Sequence, residues 1–282
     1  MSLNTLSDSG TENIMLSDQT VKGRPPAVSG QFYPADPAEL GDLLLQLLEQ
    51  AQTVTHTHVK ALIAPHAGFI YSGPIAASAF QCLIQQAKQI RRVILLGPSH
   101  RVGFHGIATI SSSEYLMPQG NVKIDRAAIE LIEVLSQVQQ MDKAHAMEHS
   151  LEVQLPFLQT VLDKFTLVPL VVGDCAASQV AEVLELLWGG DETLIVISSD
   201  LSHFNSYEVA KEQDQRTTDS ILTFAPENIQ YEDACGRNPV NGLLIAAKAH
   251  KLKPVLVDYR NSGDTAGTHD RVVGYGSYLF CD

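Results

Sequence analysis

Three short apolar runs in this sequence stop at a small-residue turn that carries a histidine. Ala61 to Ala64 leads into Pro65-His66-Ala67-Gly68, Val93 to Leu96 into Gly97-Pro98-Ser99-His100, and Leu194 to Ile197 into Ser198-Ser199-Asp200-Leu201-Ser202-His203. A single histidine after a strand is ordinarily a capping or hydrogen-bonded residue. Three in the same position share a cause more readily than they arise apart. Imidazoles beside a carboxylate on rigid strand ends supply the donors of a non-haem iron or zinc site. The carboxyl ends of parallel strands line the ligand crevice of open α/β sheets, so neighbouring strands would bring these side chains together.

Three further groups compete for attention. Cys235 lies in Asp233-Ala234-Cys235-Gly236-Arg237-Asn238-Pro239, directly before a helical stretch from Val240 to His250. A thiol at a helix start with an arginine two residues on is placed where the thiolate, the form that binds metal or attacks, is favoured; the plain alternative is a buried structural cysteine. Ser99 and Ser199 are candidate hydrolase nucleophiles, but Gly97-Pro98-Ser99-His100-Arg101 lacks the second glycine of a nucleophile elbow. His145-Ala146-Met147-Glu148-His149 matches the inverted zinc-protease pattern, which on a helix would put both imidazoles on one face and make the chain a zinc hydrolase.

The elements that must position these residues read as alternating strands and helices. Leu40, Leu43, Leu44, Leu47 and Leu48 follow helical spacing, as do Ala128, Leu131, Ile132 and Leu135, and again Val180, Val183, Leu184 and Leu187. Between them the continuous apolar runs, including Leu167 to Val172, read as strands buried on both faces. That predicts an α/β fold, a three-layer α/β/α sandwich around a largely parallel, mixed sheet. Val255 to Tyr259 and Val273 to Phe280 read as further strands, antiparallel at an edge. Residues 1–22 are polar without periodicity and are expected to form a disordered tail, followed by a single domain over 23–282, since no linker divides the rest.

Composition narrows the class. The chain of 282 residues has 19 Lys and Arg against 32 Asp and Glu, a net charge of −13. Such a surface gains nothing from counterion release, which argues against nucleic acid and anionic membranes as partners. No apolar run approaches the roughly 20 residues of a membrane span, and no basic start followed by an apolar stretch opens the chain, so it reads as cytoplasmic. Cys82, Cys175, Cys235 and Cys281 are too few and too scattered for a disulfide framework and are expected to be thiols.

Taken together and in order, Gly30-Gln31-Phe32-Tyr33-Pro34, Ala64-Pro65-His66-Ala67-Gly68, Gly97-Pro98-Ser99-His100, Glu148-His149-Ser150-Leu151-Glu152 with Leu155-Pro156, Ser198-Ser199-Asp200-Leu201-Ser202-His203, Cys235-Gly236-Arg237 and Ser262-Gly263-Asp264 resemble the Memo-like family. The fold of that family is similar to that of the class III extradiol dioxygenases. The resemblance implies a metal pocket whose ligands fall on His66, His100 and Cys235, with His203, Asp200 and His149 lining it. His203 would be the general base and Asp200 an orienting or ligating carboxylate. It implies a divalent metal, iron(II) first and zinc or copper as alternatives, and a non-haem redox enzyme acting on a small organic substrate. A cysteine in place of the dioxygenases' carboxylate departs from the ring-cleaving pattern, because a thiolate is softer and itself oxidisable. Animal members of the family imply the alternative of a non-catalytic module that binds a peptide or other partner in the same pocket. The occurrence of prokaryotic members with a radical-SAM protein implies a shared pathway.

Overall fold

The computed structural model describes residues 23–55 and 58–282; the tail expected over 1–22 lies outside them. The elements are β1 (Gly23–Arg24), α1 (Pro37–Glu49), β2 (Val59–Ala64), α2 (Phe69–Gln81), β3 (Arg92–Pro98), β4 (Ile107–Thr109), β5 (Glu114–Tyr115), β6 (Val122–Lys123), α3 (Arg126–Ile132), β7 (Val138–Gln140), α4 (Asp142–Ala146), α5 (Leu155–Val161), β8 (Thr166–Val172), α6 (Ala177–Leu187), β9 (Thr193–Ser198), β10 (His203–Asn205), α7 (Tyr207–Leu222), α8 (Arg237–Ala249), β11 (Lys253–Asn261) and β12 (Val272–Cys281).

The main sheet runs β10-β12-β2-β9-β3-β8-β4-β7, with β11 on the other side of β12. Its centre, β2-β9-β3-β8, is parallel. These strands carry unbroken apolar runs because both faces are covered: α1, α2 and α5 pack together on one side, and α6 packs on α8 and α3 on the other. The result is the three-layer α/β sandwich expected. Two features differ from the sequence reading. Strand β12 lies inside the sheet, antiparallel to β2, while β11 is the edge. Between β3 and β8 the chain leaves the β-α-β rhythm for β4 to β7, whose two or three residues are too short to register as apolar runs.

Helix α1 follows from its sequence. The Asp36 carboxylate accepts from the backbone N–H groups of Ala38 and Glu39, Pro37 opens the first turn, and Leu40, Leu44, Leu47 and Leu48 form the buried stripe. In α7 the buried positions are Ala210, Asp214, Thr217, Thr218, Ser220 and Ile221, so no apolar stripe announces it. The register sets the site: Ala64 of β2 stands beside Ser198 of β9, and Leu96 of β3 beside Ile197. Three adjacent parallel strands therefore end nearly level, and the turns after them share one rim.

Candidate metal centre

His66 follows β2 by two residues and is buried. Its backbone N–H donates to Asp200 Oδ1 at 2.8 Å, which ties the turn after β2 to the turn after β9. The ring Nδ1 lies 2.8 Å from Ser198 Oγ. That hydroxyl gives its one hydrogen to the Ser150 carbonyl at 2.6 Å and accepts from Gln154 Nε2 at 2.8 Å. It can therefore only accept from the imidazole, so Nδ1 carries the proton and Nε2 keeps a lone pair. Burial, reinforced by the neighbouring His100 and His149, pushes the imidazolium far below the ordinary histidine range. The ring is neutral.

His100, open to solvent on one side, is held the same way by a different group. Glu148 accepts the His100 backbone N–H on Oε2 at 2.6 Å and its Nδ1–H on Oε1 at 2.9 Å. The same Oε1 accepts from the backbone N–H groups of His149 and Ser150, each at 2.9 Å. Burial alone would raise this carboxyl, but the side-chain and backbone hydrogen bonds from His100 and the Ser150 N–H win and hold it near 2. An ionised acceptor fixes the proton on Nδ1, and His100 too presents Nε2 as a lone pair, the arrangement that orients metal-binding histidines. His149 completes the group: its ring stacks on His100 at 4.7 Å between centroids and meets His66 edge-on at 5.4 Å. Its buried Nδ1 has no hydrogen-bond partner. One ring nitrogen from each of His66, His100 and His149 lies within 4.8 Å of the others, so this imidazole group could hold a metal ion.

The loop that carries Glu148 and His149 is clamped from behind. The buried Arg24 guanidinium pairs with Glu152 and donates to the carbonyls of His145 and Glu148. Glu152 also accepts from the backbone N–H groups of Ala27 and Val28 and from the Tyr33 hydroxyl at 2.6 Å. This accounts for the Gly30 to Pro34 segment, which brings the Phe32 ring edge-on to His149 at 5.0 Å. Close approach explains two glycines: a Cβ on Gly97 would sit 2.8 Å from Ser150 Oγ, and one on Gly236 would sit 2.6 Å from Ser199 Cβ.

Gly236 lets the neighbouring thiol reach the rim. Cys235 Sγ lies 3.5 Å from His66 Nε2 and accepts the Asp200 backbone N–H at 3.3 Å. The expectation of a favoured thiolate is corrected: burial, aided by the Asp200 charge, pushes the thiol well up, and Arg237 lies over the Tyr231 ring rather than at the sulfur. Without a cation beside it the group stays protonated. Asp200 Oδ2 stands 4.0 Å from His66 Nε2. Burial raises its carboxyl, against the pull of His203 and the other imidazoles. His203 donates Nδ1–H to the Leu201 carbonyl at 2.8 Å, leaving Nε2 free. Its ring borders a cavity of about 610 Å³ together with His100, Phe204, Tyr231 and Cys235.

Other candidates fall away. His145 lies on α4, which ends at Ala146, so Glu148 and His149 are not on its helix. Both of its ring nitrogens are used, Nε2 by the Ala108 carbonyl and Nδ1 by the Tyr115 hydroxyl, each at 2.9 Å. The His145-x-x-Glu148-His149 pattern is thus no metal set: Glu148 orients His100 instead. The hydroxyls of Ser99 and Ser199 donate to the carbonyls of Val102 and Asp200, and neither pairs with a histidine. Sequence reasoning missed Ser198, Gln154, Arg24 and the orienting role of Glu148; for Glu148 the spacing to His149 was the available signal, read for the wrong reaction.

Known proteins resemble this chain over most of its length. A MEMO1 family protein of Ignicoccus hospitalis is 35% identical over 91% of this chain and 98% of its own length. One of Aquifex aeolicus is 35% identical over 91% and 98%. The crystal structure of an uncharacterized protein from Escherichia coli K12, 13% identical, superposes with a TM-score of 0.53 over 78% of this chain and 99% of that one, a likeness of fold alone. The family model described as Memo-like protein matches residues 24–279, and the chain belongs to that family.

Proposed function

We propose that the chain is a metal-dependent oxidoreductase of dioxygenase-like kind, with iron(II) held by His66, His100 and Cys235 and a small organic substrate in the adjoining cavity. The observation that carries this reading is the pair of imidazoles whose Nδ1–H groups are engaged, on Ser198 and Glu148, so that both Nε2 atoms keep lone pairs, one of them 3.5 Å from the Cys235 sulfur. The donor set fits a borderline-soft divalent ion, zinc or copper as well as iron. When bound, iron would supply the redox chemistry.

The chain's own groups would do the rest. His203 Nε2, with Nδ1 anchored on Leu201, is placed to accept a proton from a substrate hydroxyl at the cavity wall. Asp200 holds the turn after β2 by accepting the His66 backbone N–H. A second reading keeps the same pocket as a binding module for a peptide or other partner without turnover.

Anaerobic purification followed by elemental analysis tests the ligand set, since air can oxidise both Fe(II) and thiolate. His66→Ala, His100→Ala and Cys235→Ala should each lose the metal found in the wild type. A His100→Ala protein with wild-type metal content would end the proposal. Loss of metal in His149→Ala with retention in Cys235→Ala would replace the sulfur by the third imidazole. Oxygen uptake by the iron-loaded protein across a panel of catechols separates the enzyme from the binding module, which would consume none.

A further inference from the structure

A second cavity, of about 630 Å³, opens on the other side of Cys235. Tyr231 and Cys235 belong to the walls of both cavities, so the two adjoin at these residues. Arg237 is the only lysine or arginine on the wall of this second cavity among the described residues. In a chain of net charge −13 an arginine is easily paired, yet among the described residues no carboxylate lies within salt-bridge reach of this one. Its guanidinium instead lies over the Tyr231 ring, 6.0 Å from the centroid. The acid on the same wall, Asp174, is already 3.2 Å from His105 Nδ1. Asn238 gives its side-chain N–H to the Gly173 carbonyl at 2.8 Å, which leaves Arg237 as the cation with free donors.

We propose that this cavity takes the carboxylate of a small organic acid, with Arg237 as its counter-ion, while the rest of the molecule passes Cys235 toward His203. This names the substrate class of the site proposed above and rests on that reading. A guanidinium fork matches the two oxygens of a carboxylate, and one half-buried arginine neutralises one charge. Phosphate, carrying close to two negative charges at neutral pH, would meet no second lysine or arginine on this wall among the described residues.

Benzoate and benzamide have nearly the same shape and differ in charge. Calorimetric titration of each into the full chain, with and without chelator treatment, reads the preference directly. The wild type should bind benzoate roughly tenfold or more tightly than benzamide, the scale of a charge-assisted hydrogen bond. Arg237→Gln should bring the ratio close to one and Arg237→Lys should fall between. Arg271→Gln, which removes an exposed cation from over Phe204, should leave it unchanged. A ratio unaltered by Arg237→Gln, a collapse caused by Arg271→Gln, failure of benzoate to bind at millimolar concentration, or displacement of benzoate by equimolar inorganic phosphate would each overturn the assignment. Elemental analysis of the same samples keeps the two ideas apart. Stoichiometric metal without an anion preference sinks only this inference, whereas an anion preference in a chain that holds no metal sinks only the metal reading.

Discussion

Replacing Glu148 by glutamine separates orientation from ligation, because Glu148 is not among the proposed ligands. Its two oxygens accept four N–H groups, three on Oε1 and one on Oε2. Glutamine can keep its carbonyl where Oε1 stands, but its NH₂ then faces the His100 backbone N–H, donor against donor. Hydrogen bonds to a charged acceptor are worth about 1 kcal/mol more than neutral ones. Three weakened bonds and one lost one therefore predict a stability loss of about 5 kcal/mol. A second route sets a lower bound: a carboxyl held near 2 rather than at its ordinary 4.5 favours the ionised form by about 3 kcal/mol. The larger consequence falls on the metal. With the carboxylate gone, only a neutral amide carbonyl is left to hold the His100 proton on Nδ1, and affinity should drop roughly ten- to hundredfold, the usual cost of impairing such an orienting partner. Urea titration of the chelator-treated protein gives the first quantity, and anaerobic calorimetry with Fe(II) and Zn(II) the second. Wild-type metal affinity in Glu148→Gln would refute the orienting role even if stability fell as expected.

Other perturbations reach different parts of the argument. His145→Phe should lower the melting temperature while leaving metal content at the wild-type level; loss of metal there would revive the hydrolase pattern. Arg24→Met leaves Glu152 buried without its cation, though Ala27, Val28 and Tyr33 still donate to it, so about 3 kcal/mol should disappear in chemical denaturation; a loss under 1 kcal/mol would mean that the clamp is not what holds the loop. Asp214 is raised from 3.8 to about 6, chiefly by burial, and its Oδ2 has no partner. Because the folded form holds its proton more tightly than the unfolded one, stability should fall as pH rises from about 4 to 6 and then level. Asp214→Asn should remove about 3 kcal/mol of that fall. Parallel pH profiles of denaturation midpoint for the two proteins would contradict this.

The donors of the site were legible because the strands that carry them are simple. Four to six apolar residues ending in Pro65-His66, Ser99-His100 or Ser199-Asp200 announce both the strand and its end, and parallel pairing then brings the ends level without further information. Helices α2 and α7 were harder for opposite reasons. The first is buried at Phe69, Ser72, Gly73 and nearly every position from Ile75 to Phe80, so no polar face sets off a stripe, and the second buries Thr217, Thr218 and Asp214. The state of the thiol at Cys235 was misjudged for a related reason. Local sequence shows a helix start and an arginine, but what decides is burial by the fold, with the charge of Asp200, thirty-five residues away, adding to it.

What local sequence cannot carry is the assignment of protons. Whether His66 offers a lone pair or a hydrogen on Nε2 is decided by Ser198, and Ser198 is decided in turn by the Ser150 carbonyl and the Gln154 amide, all far from residue 66 in the chain. The same loop settles His100 through Glu148 and, four residues on, grips the segment around Ala27 and Val28 through Glu152. Ligand orientation and the clamp on residues 24–33 are therefore properties of one short segment, and linkage makes their relation reciprocal. An ion that prefers the oriented loop must stabilise the clamp by the same free energy by which the clamp strengthens its binding. In Arg24→Met, where the segment is loosened at a point outside the imidazole cluster, metal affinity should fall with stability, and a saturating ion should recover part of what denaturation shows to be lost. Were the two quantities to vary independently across Arg24, Glu148 and Glu152 variants, the loop would be two separate devices that happen to be adjacent.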